Sequence, residues 1–527
     1  MRIACVQMKA PELTFFERTY YRILELLGEA LKPGIDLVVF PECAWPAYFI
    51  DPLQSQALEE ALSLNDQLIE SICQKARENS SYVALGLIGK EEGEISNDGI
   101  LVDPSGKVIL RASKMNLWHF DRDIYEPGKR FDVVETPFGR VGLLICADAR
   151  LPEIPRKLSL MGADLIIDLA NLTGYSFSPK NLTNPQLEFM LQTRAFENQV
   201  WWILSNKCGI ESETVPYVGG SRVISPDGII LVSASSDKEE IIFADIDLPR
   251  EEERIHPKRI PETYAIIKEP TLALPVLKIS SEPVIPSHQS FFLGVAQFGA
   301  ENVEEYLAKT GKFLDRLGRL HSSLVVLPYA GPFPVSNVFE LSEMIAEKFL
   351  KKWEGMIIAL SAKDSGSRSR GVLFDSEKVL ASSKHNGWKE DRLLPLSVSD
   401  INQTAFGNIS FVGDEEILLP EHSRCLTLLG SDLLFWLSAQ ETGLCLEIAR
   451  TRAYENKVFL VRSSSPTKDG RSFICDPNGR VLASAFMGWE QAFGCQVELS
   501  LTKCKEVVPG TDVIQGRRPY DYDSLCQ

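Results

Sequence analysis

A chain of 527 residues is too long for one hydrophobic core, so two domains of about 250 residues each are expected. Charged residues make up 24% and hydrophobic residues 44%, an ordinary globular balance. The net charge of −17 argues against nucleic acid or an anionic membrane as partner, because either would repel the average surface.

In chain order, Ile3–Gln7 (IACVQ) reads as a short buried strand, and Phe16–Leu31 has apolar residues at helical spacing, ended by Pro33-Gly34. Leu37–Phe40 is an apolar strand whose end carries Pro41-Glu42. Asn65–Glu78 reads as a helix, Val83–Gly89 and Ile100–Asp103 as strands, and Pro104–Lys107 as a turn into the return strand Val108–Ser113. Val141–Cys146 is a strand ending on the cysteine. Arg150–Met161 is expected to be helical, with Pro152 and Pro155 tolerated in a first turn. Strand Leu165–Leu169, helix Glu188–Asn198 and strands Trp201–Asn206, Ser221–Ser225, Ile229–Val232 and Ile241–Ile246 complete the unit. Helices alternating with strands around a central hairpin predict two β-sheets covered by helices.

Glu269–Ser290 contains four prolines and no helical period, and reads as an extended linker. After it the pattern starts again. FLGVAQ (Phe292–Gln297) resembles the opening strand, DLVVFPECAWP (Asp36–Pro46) resembles SLVVLPYAGPFP (Ser323–Pro334), and TRAFENQV (Thr193–Val200) resembles TRAYENKV (Thr451–Val458). Lys258–Pro261 with Tyr264 is echoed by Gly516–Pro519 with Tyr522. The expected plan is therefore a first domain at residues 1–268, a linker at 269–290 and a second version of the same domain at 291–527.

The opening MRIACVQMKAPE has no long apolar core, and no stretch reaches the roughly 18–20 apolar residues needed to span a bilayer. Eleven scattered cysteines without a CxxC pair suit reduced thiols, and six histidines show no ligand-like spacing. The expectation is a cytoplasmic protein without a structural or catalytic metal.

Three residues of the first half stand at ends of predicted strands, where an α/β scaffold presents reactive groups: Glu42, Lys114 and Cys146. Together they form a kit for acyl transfer. A thiol needs a base, because the thiolate is the nucleophile. A glutamate can take that proton and return it to a leaving amine. A lysine ammonium and the backbone N–H of Ala147 can hold the developing oxyanion.

FPE, the strand–turn–strand leading to SKMN, YEPG, the cysteine followed by ADARLPE, ANLTGY and TRAFENQ occur in this order through residues 1–265. As a set they resemble the nitrilase, or carbon–nitrogen hydrolase, superfamily. The resemblance implies tandem αββα four-layer sandwiches, a covalent thioester, no cofactor, and hydrolysis of a non-peptide C–N bond. It places the base at Glu42, the oxyanion lysine at Lys114 and the nucleophile at Cys146. Members usually carry a second glutamate seven or eight residues past the lysine; here Asp121, one methylene shorter, stands in that place. Ala147-Asp148 after the nucleophile resembles the amidase branches, where nitrile-hydrolysing branches place tryptophan. This favours linear amides or carbamoyl amides as substrates. The alternatives are nitrile hydrolysis, thioester-based N-acyl transfer, or a non-catalytic scaffold.

Trp45, Tyr48 and His119 flank the triad segments, and Asn171 and Tyr175 follow a strand near it; these five are candidate pocket residues. Cys43 adjoins Glu42 but should point the other way in an extended segment. In the second half, Tyr329 replaces Glu42 and Asp414 replaces Cys146, while Ser383-Lys384 resembles Ser113-Lys114, and Trp388 and Asp391 pair with Trp118 and Asp121. A copy without thiol or base has no thioester route. Because family members pair through helices near the nucleophile, the resemblance implies that the second copy serves as an internal partner in an intramolecular pseudo-dimer, with any further homo-oligomer left open.

Overall fold

The computed structural model describes all residues except 175–181, 249–258, 282–286, 331–336, 364–368, 385–399, 439–442 and 468–469. The chain divides into two compact units, Met1–Lys258 with Val508–Thr511, and Arg259–Val507 with Asp512–Gln527.

Unit 1 begins with β1 (Arg2–Lys9), α1 (Phe16–Ala30), β2 (Leu37–Val39), α2 (Ser55–Leu62), α3 (Asn65–Asn79), β3 (Tyr82–Glu91), β4 (Glu94–Val102) and β5 (Val108–Ser113). It continues with β6 (Val133–Thr136), β7 (Gly139–Ile145), α4 (Glu153–Leu160), β8 (Leu165–Leu169), α5 (Leu191–Asn198), β9 (Trp201–Ser205), β10 (Lys207–Glu211), β11 (Val215–Val218), β12 (Arg222–Ile224), β13 (Ile230–Ser233) and β14 (Glu240–Asp245). One sheet has the order β11-β10-β1-β2-β3-β4-β5, with β14 also paired to β1, and the other the order β13-β12-β9-β8-β7-β6.

The layers follow from side-chain alternation. Along β1 and β2, Ile3, Cys5, Leu37 and Val39 meet Leu143, Ile145, Leu165 and Ile167 of the second sheet. The intervening Ala4, Val6 and Val38 meet Ile23 and Leu27 of α1 and Leu68 and Ile72 of α3. Both faces of the parallel strands are thus covered, which explains their near-continuous apolar runs. Each fully buried Leu or Ile contributes about 1.5–3 kcal/mol to holding the layers together. Helices α4 and α5 pack on β7, β9 and β12 of the second sheet, giving helix–sheet–sheet–helix.

The second unit has β15 (Ser290–Gln297), α7 (Val303–Arg319), β16 (Leu324–Val326), α8 (Val338–Phe349), β17 (Ile357–Lys363), β18 (Ser369–Phe374) and β19 (Val379–Lys384), preceded by a short α6 (Val276–Ser281). It continues with β20 (Asn402–Thr404), β21 (Gly407–Val412), α9 (Asp414–Ile417), α10 (Pro420–Leu428), β22 (Leu433–Leu437), α11 (Cys445–Asn456), β23 (Phe459–Ser463), β24 (Phe473–Cys475), β25 (Val481–Ser484) and β26 (Gln491–Glu498). Its sheets run β19-β18-β17-β16-β15-β26 and β20-β21-β22-β23-β24-β25, a second sandwich of the same plan.

Several expectations change. The boundary drawn at 268 falls inside the second unit, because Ile260, Tyr264 and Ile267 share a core with Cys425, Leu428 and Tyr522. The stretch read as an extended linker contains α6. The strand ending at Cys146 stops at Ile145, and the helix at Arg150–Met161 shrinks to Glu153–Leu160, with Pro152 at its N-cap. Helix α2 and the hairpin β10–β11 were not foreseen. Among the described residues no helix is long and apolar enough to cross a membrane.

Candidate active site

Glu42 follows β2 in a tight turn, not in the extended segment expected: Cys43 has φ +38°. Gly86 on β3 makes room for this turn, since a Cβ there would lie 2.3 Å from the Pro41 carbonyl and 2.6 Å from the Glu42 Cα. Cys43 is fully buried among Tyr48, Leu117, Tyr125 and Tyr217, a packed structural thiol. Lys114 leaves β5 with its N–H on the Asn97 carbonyl at 2.8 Å and its own carbonyl accepting from Gly128 at 2.8 Å.

Cys146 starts a 3-10 turn, Cys146–Arg150, with φ +51°, a left-handed conformation costing an L-residue roughly 1–2 kcal/mol. The surroundings hold it there. Its N–H donates to Asp168 Oδ1 at 3.1 Å, and its carbonyl accepts from Gln186 Nε2 at 2.8 Å. Such strain clusters where a side chain must be presented to a reacting group. The next N–H, that of Ala147, lies in the first turn, where a helix has no internal acceptor for it.

Lys114 Nζ lies 2.8 Å from Glu42 Oε1 and 2.7 Å from Asp121 Oδ2, all three side chains being buried. The aspartate in place of the family's second glutamate therefore reaches the lysine. Its Oδ1 accepts from Tyr48 Oη at 2.7 Å and its Oδ2 from the Trp118 N–H at 2.9 Å. Glu42 Oε1 also accepts from Asn97 Nδ2 at 2.7 Å, whereas Oε2 is buried without a hydrogen-bond partner among the described residues. One carboxylate oxygen is fixed and the other is open to a proton.

Burial opposes the Lys114 charge, but Asp121 and Glu42 outweigh it and hold the ammonium well above the ordinary lysine range. Burial, then the Glu42 charge, push the Cys146 thiol well up, opposed by Lys114. The Asn171 backbone also pulls the thiol back down. Asp148 ties the lysine loop to the cysteine turn by accepting from Met115 N–H (3.0 Å), Asn116 N–H (2.7 Å) and Ile145 N–H (3.1 Å). Burial raises its carboxyl to about 7, against the pull of these donors.

The structure thus brings together Glu42, Lys114, Asp121, Cys146 with Ala147, Tyr48 and Asn171. It does not bring Trp45 or His119 to them. Trp45 sits in the core under the helices, edge-on to Phe16 and Tyr20, with Nε1 on Asn65. His119 is exposed, with its N–H on Thr511 Oγ1 at 2.8 Å. Tyr175 lies outside the described residues. Asn171 is 4% exposed, and neither atom of its amide has a hydrogen-bond partner among the described residues.

Sequence reading missed Asn97, Asp148 as a brace, Asp168, Gln186 and the buried pair Lys207–Glu211. Asp168, a lone carboxylate in the apolar run LIIDL, was a usable signal. So were Lys207 and Glu211, opposite charges on one face of a strand.

In the second unit, Arg452 donates to the Ile417 and Leu418 carbonyls and pairs with Glu455, as Arg194 does with Ala149, Arg150 and Glu197 in the first. This match puts Asp414 at the place of Cys146, where its Oδ1 accepts from Trp436 Nε1 at 2.8 Å. The Leu327 N–H on Ala359 repeats the Phe40 N–H on Ala84, which puts Tyr329 at the place of Glu42. Lys384 ends β19; Trp388 and Asp391 lie outside the described residues.

The family model for carbon-nitrogen hydrolase matches residues 2–255. A nitrilase from Pyrococcus abyssi is 30% identical over 254 residues, covering 47% of this chain and 90% of that protein. An (R)-stereoselective amidase from Pseudomonas sp. is 32% identical over 213 residues, covering 40% of this chain and 74% of its own length. An omega-amidase from Xenopus tropicalis is 28% identical over 262 residues, covering 46% and 90%. The crystal structure of an amidase from Nesterenkonia sp. is 25% identical, covers 47% of this chain and 90% of that one, and has a TM-score of 0.42. The chain belongs to the carbon–nitrogen hydrolase family, with nitrilases and amidases among its relatives.

Proposed function

We propose that unit 1 hydrolyses a small linear amide or carbamoyl amide through a thioester on Cys146. The open Oε2 of Glu42, beside a thiol whose ordinary form is protonated, carries this reading. Glu42 takes the thiol proton and the thiolate attacks the carbonyl carbon. Lys114 and the Ala147 N–H stabilise the oxyanion, and Asp121 holds Lys114 in place. The C–N bond breaks, the Glu42 proton goes to the leaving ammonia or amine, and the acyl group stays on sulfur. Water, deprotonated by Glu42, releases the acid and restores the thiol.

Asn171, whose backbone bears on the thiol, carries a buried amide with a free donor and acceptor, a complement to a primary carboxamide, which itself presents a C=O and an NH2. Ala147 after the nucleophile and the amidases among the relatives favour amides over nitriles. The second unit, with Asp414 and Tyr329, serves as an attached partner and not as a second site.

The test is ammonia release from a panel of amides and carbamoyl compounds, with intact-protein mass spectrometry for an acyl adduct. Cys146→Ala should show neither turnover nor adduct while its melting curve matches wild type. Turnover undiminished in C146A would overturn the mechanism, and product that forms only with an added amine acceptor would move the assignment to acyl transfer.

A further inference from the structure

The hairpin β10–β11 places a second buried ion pair behind the site. Lys207 Nζ and Glu211 Oε2 are 3.3 Å apart, and both side chains are fully buried. Such burial is costly unless the remaining lone pairs are used, and here each is. Glu211 Oε2 also accepts from Tyr217 Oη at 2.8 Å. Its Oε1 accepts from two successive backbone N–H groups, Tyr48 and Phe49, at 2.6 Å each. The Tyr48 carbonyl is held as well, by Tyr125 Oη at 3.1 Å. Tyr48 is therefore fixed at both backbone ends, and its hydroxyl donates to Asp121, which in turn pairs with Lys114. The lysine also lies over the Tyr48 ring, 5.5 Å from its centroid.

The same hairpin reaches the other side of the site. Thr173 bridges Tyr217, the Val218 N–H donates to the Leu172 carbonyl, and the Gly174 N–H to Pro216. The segment carrying Asn171 and the segment carrying Tyr48 are thus mounted on one support.

We propose that Glu211, neutralised by Lys207, is a positioning residue that acts through Tyr48 and Asp121 to fix the Lys114 ammonium against Glu42 and Cys146. This rests on the reading of Cys146 as nucleophile but not on the identity of the amide. A side chain that only stabilised the fold would change how much protein is folded. One that positions Lys114 changes the chemistry of each folded molecule. Losing the Tyr48–Asp121 bond leaves Asp121 drawing harder on Lys114, whose support of the thiolate then weakens. Among the described residues the charges that weigh most on the thiol are Glu42, Lys114 and Asp168, and the Tyr48 hydroxyl interacts with it as well.

The experiment follows alkylation of Cys146 by iodoacetamide against pH in the full chain, read by intact-protein mass spectrometry and by peptide mapping. The variants are Y48F, E211Q, the charge-balanced K207M/E211Q and the combination Y48F/E211Q. Y48F and E211Q should each move the alkylation profile at least half a unit to higher pH, and the combination should move it no further than the larger single shift. With the best amide of the panel, kcat per alkylatable site should fall at least tenfold in each variant, with KM within threefold. K207M/E211Q, which leaves no unpaired buried charge, should behave as E211Q and covers the case in which the single change unfolds. Profiles and kcat per site that stay at wild type in Y48F and K207M/E211Q, or shifts that simply add, overturn the proposal. If no amide is turned over by wild type, the hydrolytic reading fails while the alkylation profiles still decide this one.

Discussion

Glu42→Gln separates chemistry from packing. Glutamine keeps the volume, and its amide oxygen can accept from Lys114 Nζ and Asn97 Nδ2 as Glu42 Oε1 does now. The new NH2 falls where Oε2 stands without a partner. The buried set Glu42, Lys114 and Asp121 carries one ammonium and two carboxylates, so the change takes it from one net negative charge to none. Stability should stay within about 1 kcal/mol of wild type or rise, since the lysine keeps Asp121 as counter-ion. Activity should collapse. A thiol at its ordinary value of 9.0 is roughly 1% thiolate at pH 7, and burial and Glu42 push Cys146 higher still. Without a base, acylation loses at least about 100-fold. Removing the Glu42 charge relieves one of the influences raising the thiol and returns part of that loss. Deacylation has no such relief, because the attacking water still needs its proton taken. The expected result is a kcat lower by about 10²–10⁴, a factor typical for a lost general base, with the acyl adduct accumulating on Cys146. Ammonia release, adduct mass and melting curves measure the three quantities. A kcat within tenfold of wild type would refute the assignment of Glu42 as base.

Arg194→Leu should unfold the first unit early. It breaks the buried ion pair with Glu197 and takes donors from the Ala149 and Arg150 carbonyls, a loss of about 3–5 kcal/mol, or roughly 6–20 °C in melting temperature. Arg452→Leu should do the same to the second unit, whose clamp uses matching partners; a melting temperature within 2 °C of wild type in either, by calorimetry, would contradict the clamp. Lys505 is fully buried, and desolvation lowers it from 10.5 to about 7. Between those values the unfolded chain binds more protons than the native one, so this group's contribution to stability rises with pH across that window and is flat above it. Lys505→Met should flatten the pH dependence of melting there; an unchanged slope would show that the lysine is charged in the native state.

The apolar runs of β1, β2, β7 and β8 were legible because strands buried on both faces leave little choice of residue. The convergence of Glu42, Lys114 and Cys146 was legible because each follows a strand and the surrounding motifs occur in a fixed order. What escaped was what sequence spacing does not encode. The turn that aims Glu42 depends on the contact between Gly86 on β3 and Pro41 just past β2, residues far apart in sequence. Trp45 reads as a pocket aromatic by its nearness to Glu42, yet that turn sends it into the core under α1. The spacing of Lys207 and Glu211 carries a signal only once their stretch is read as a strand, which its glycine and the short polar run after it mask. The domain boundary was misplaced because the echo between Tyr264 and Tyr522 was read as marking the ends of two units, whereas both residues pack in one core.

That shared core bears on how the gene can be handled. Arg259–Lys268 folds with the second unit and Val508–Thr511 with the first, so the two sequence repeats and the two folded bodies are not coextensive. Cloning either repeat by its sequence limits would deliver a body short of one strip of its own and burdened with a strip of the other. Pieces trimmed that way report on missing parts before they report on the duplication, and single substitutions in the intact chain are the cleaner instrument.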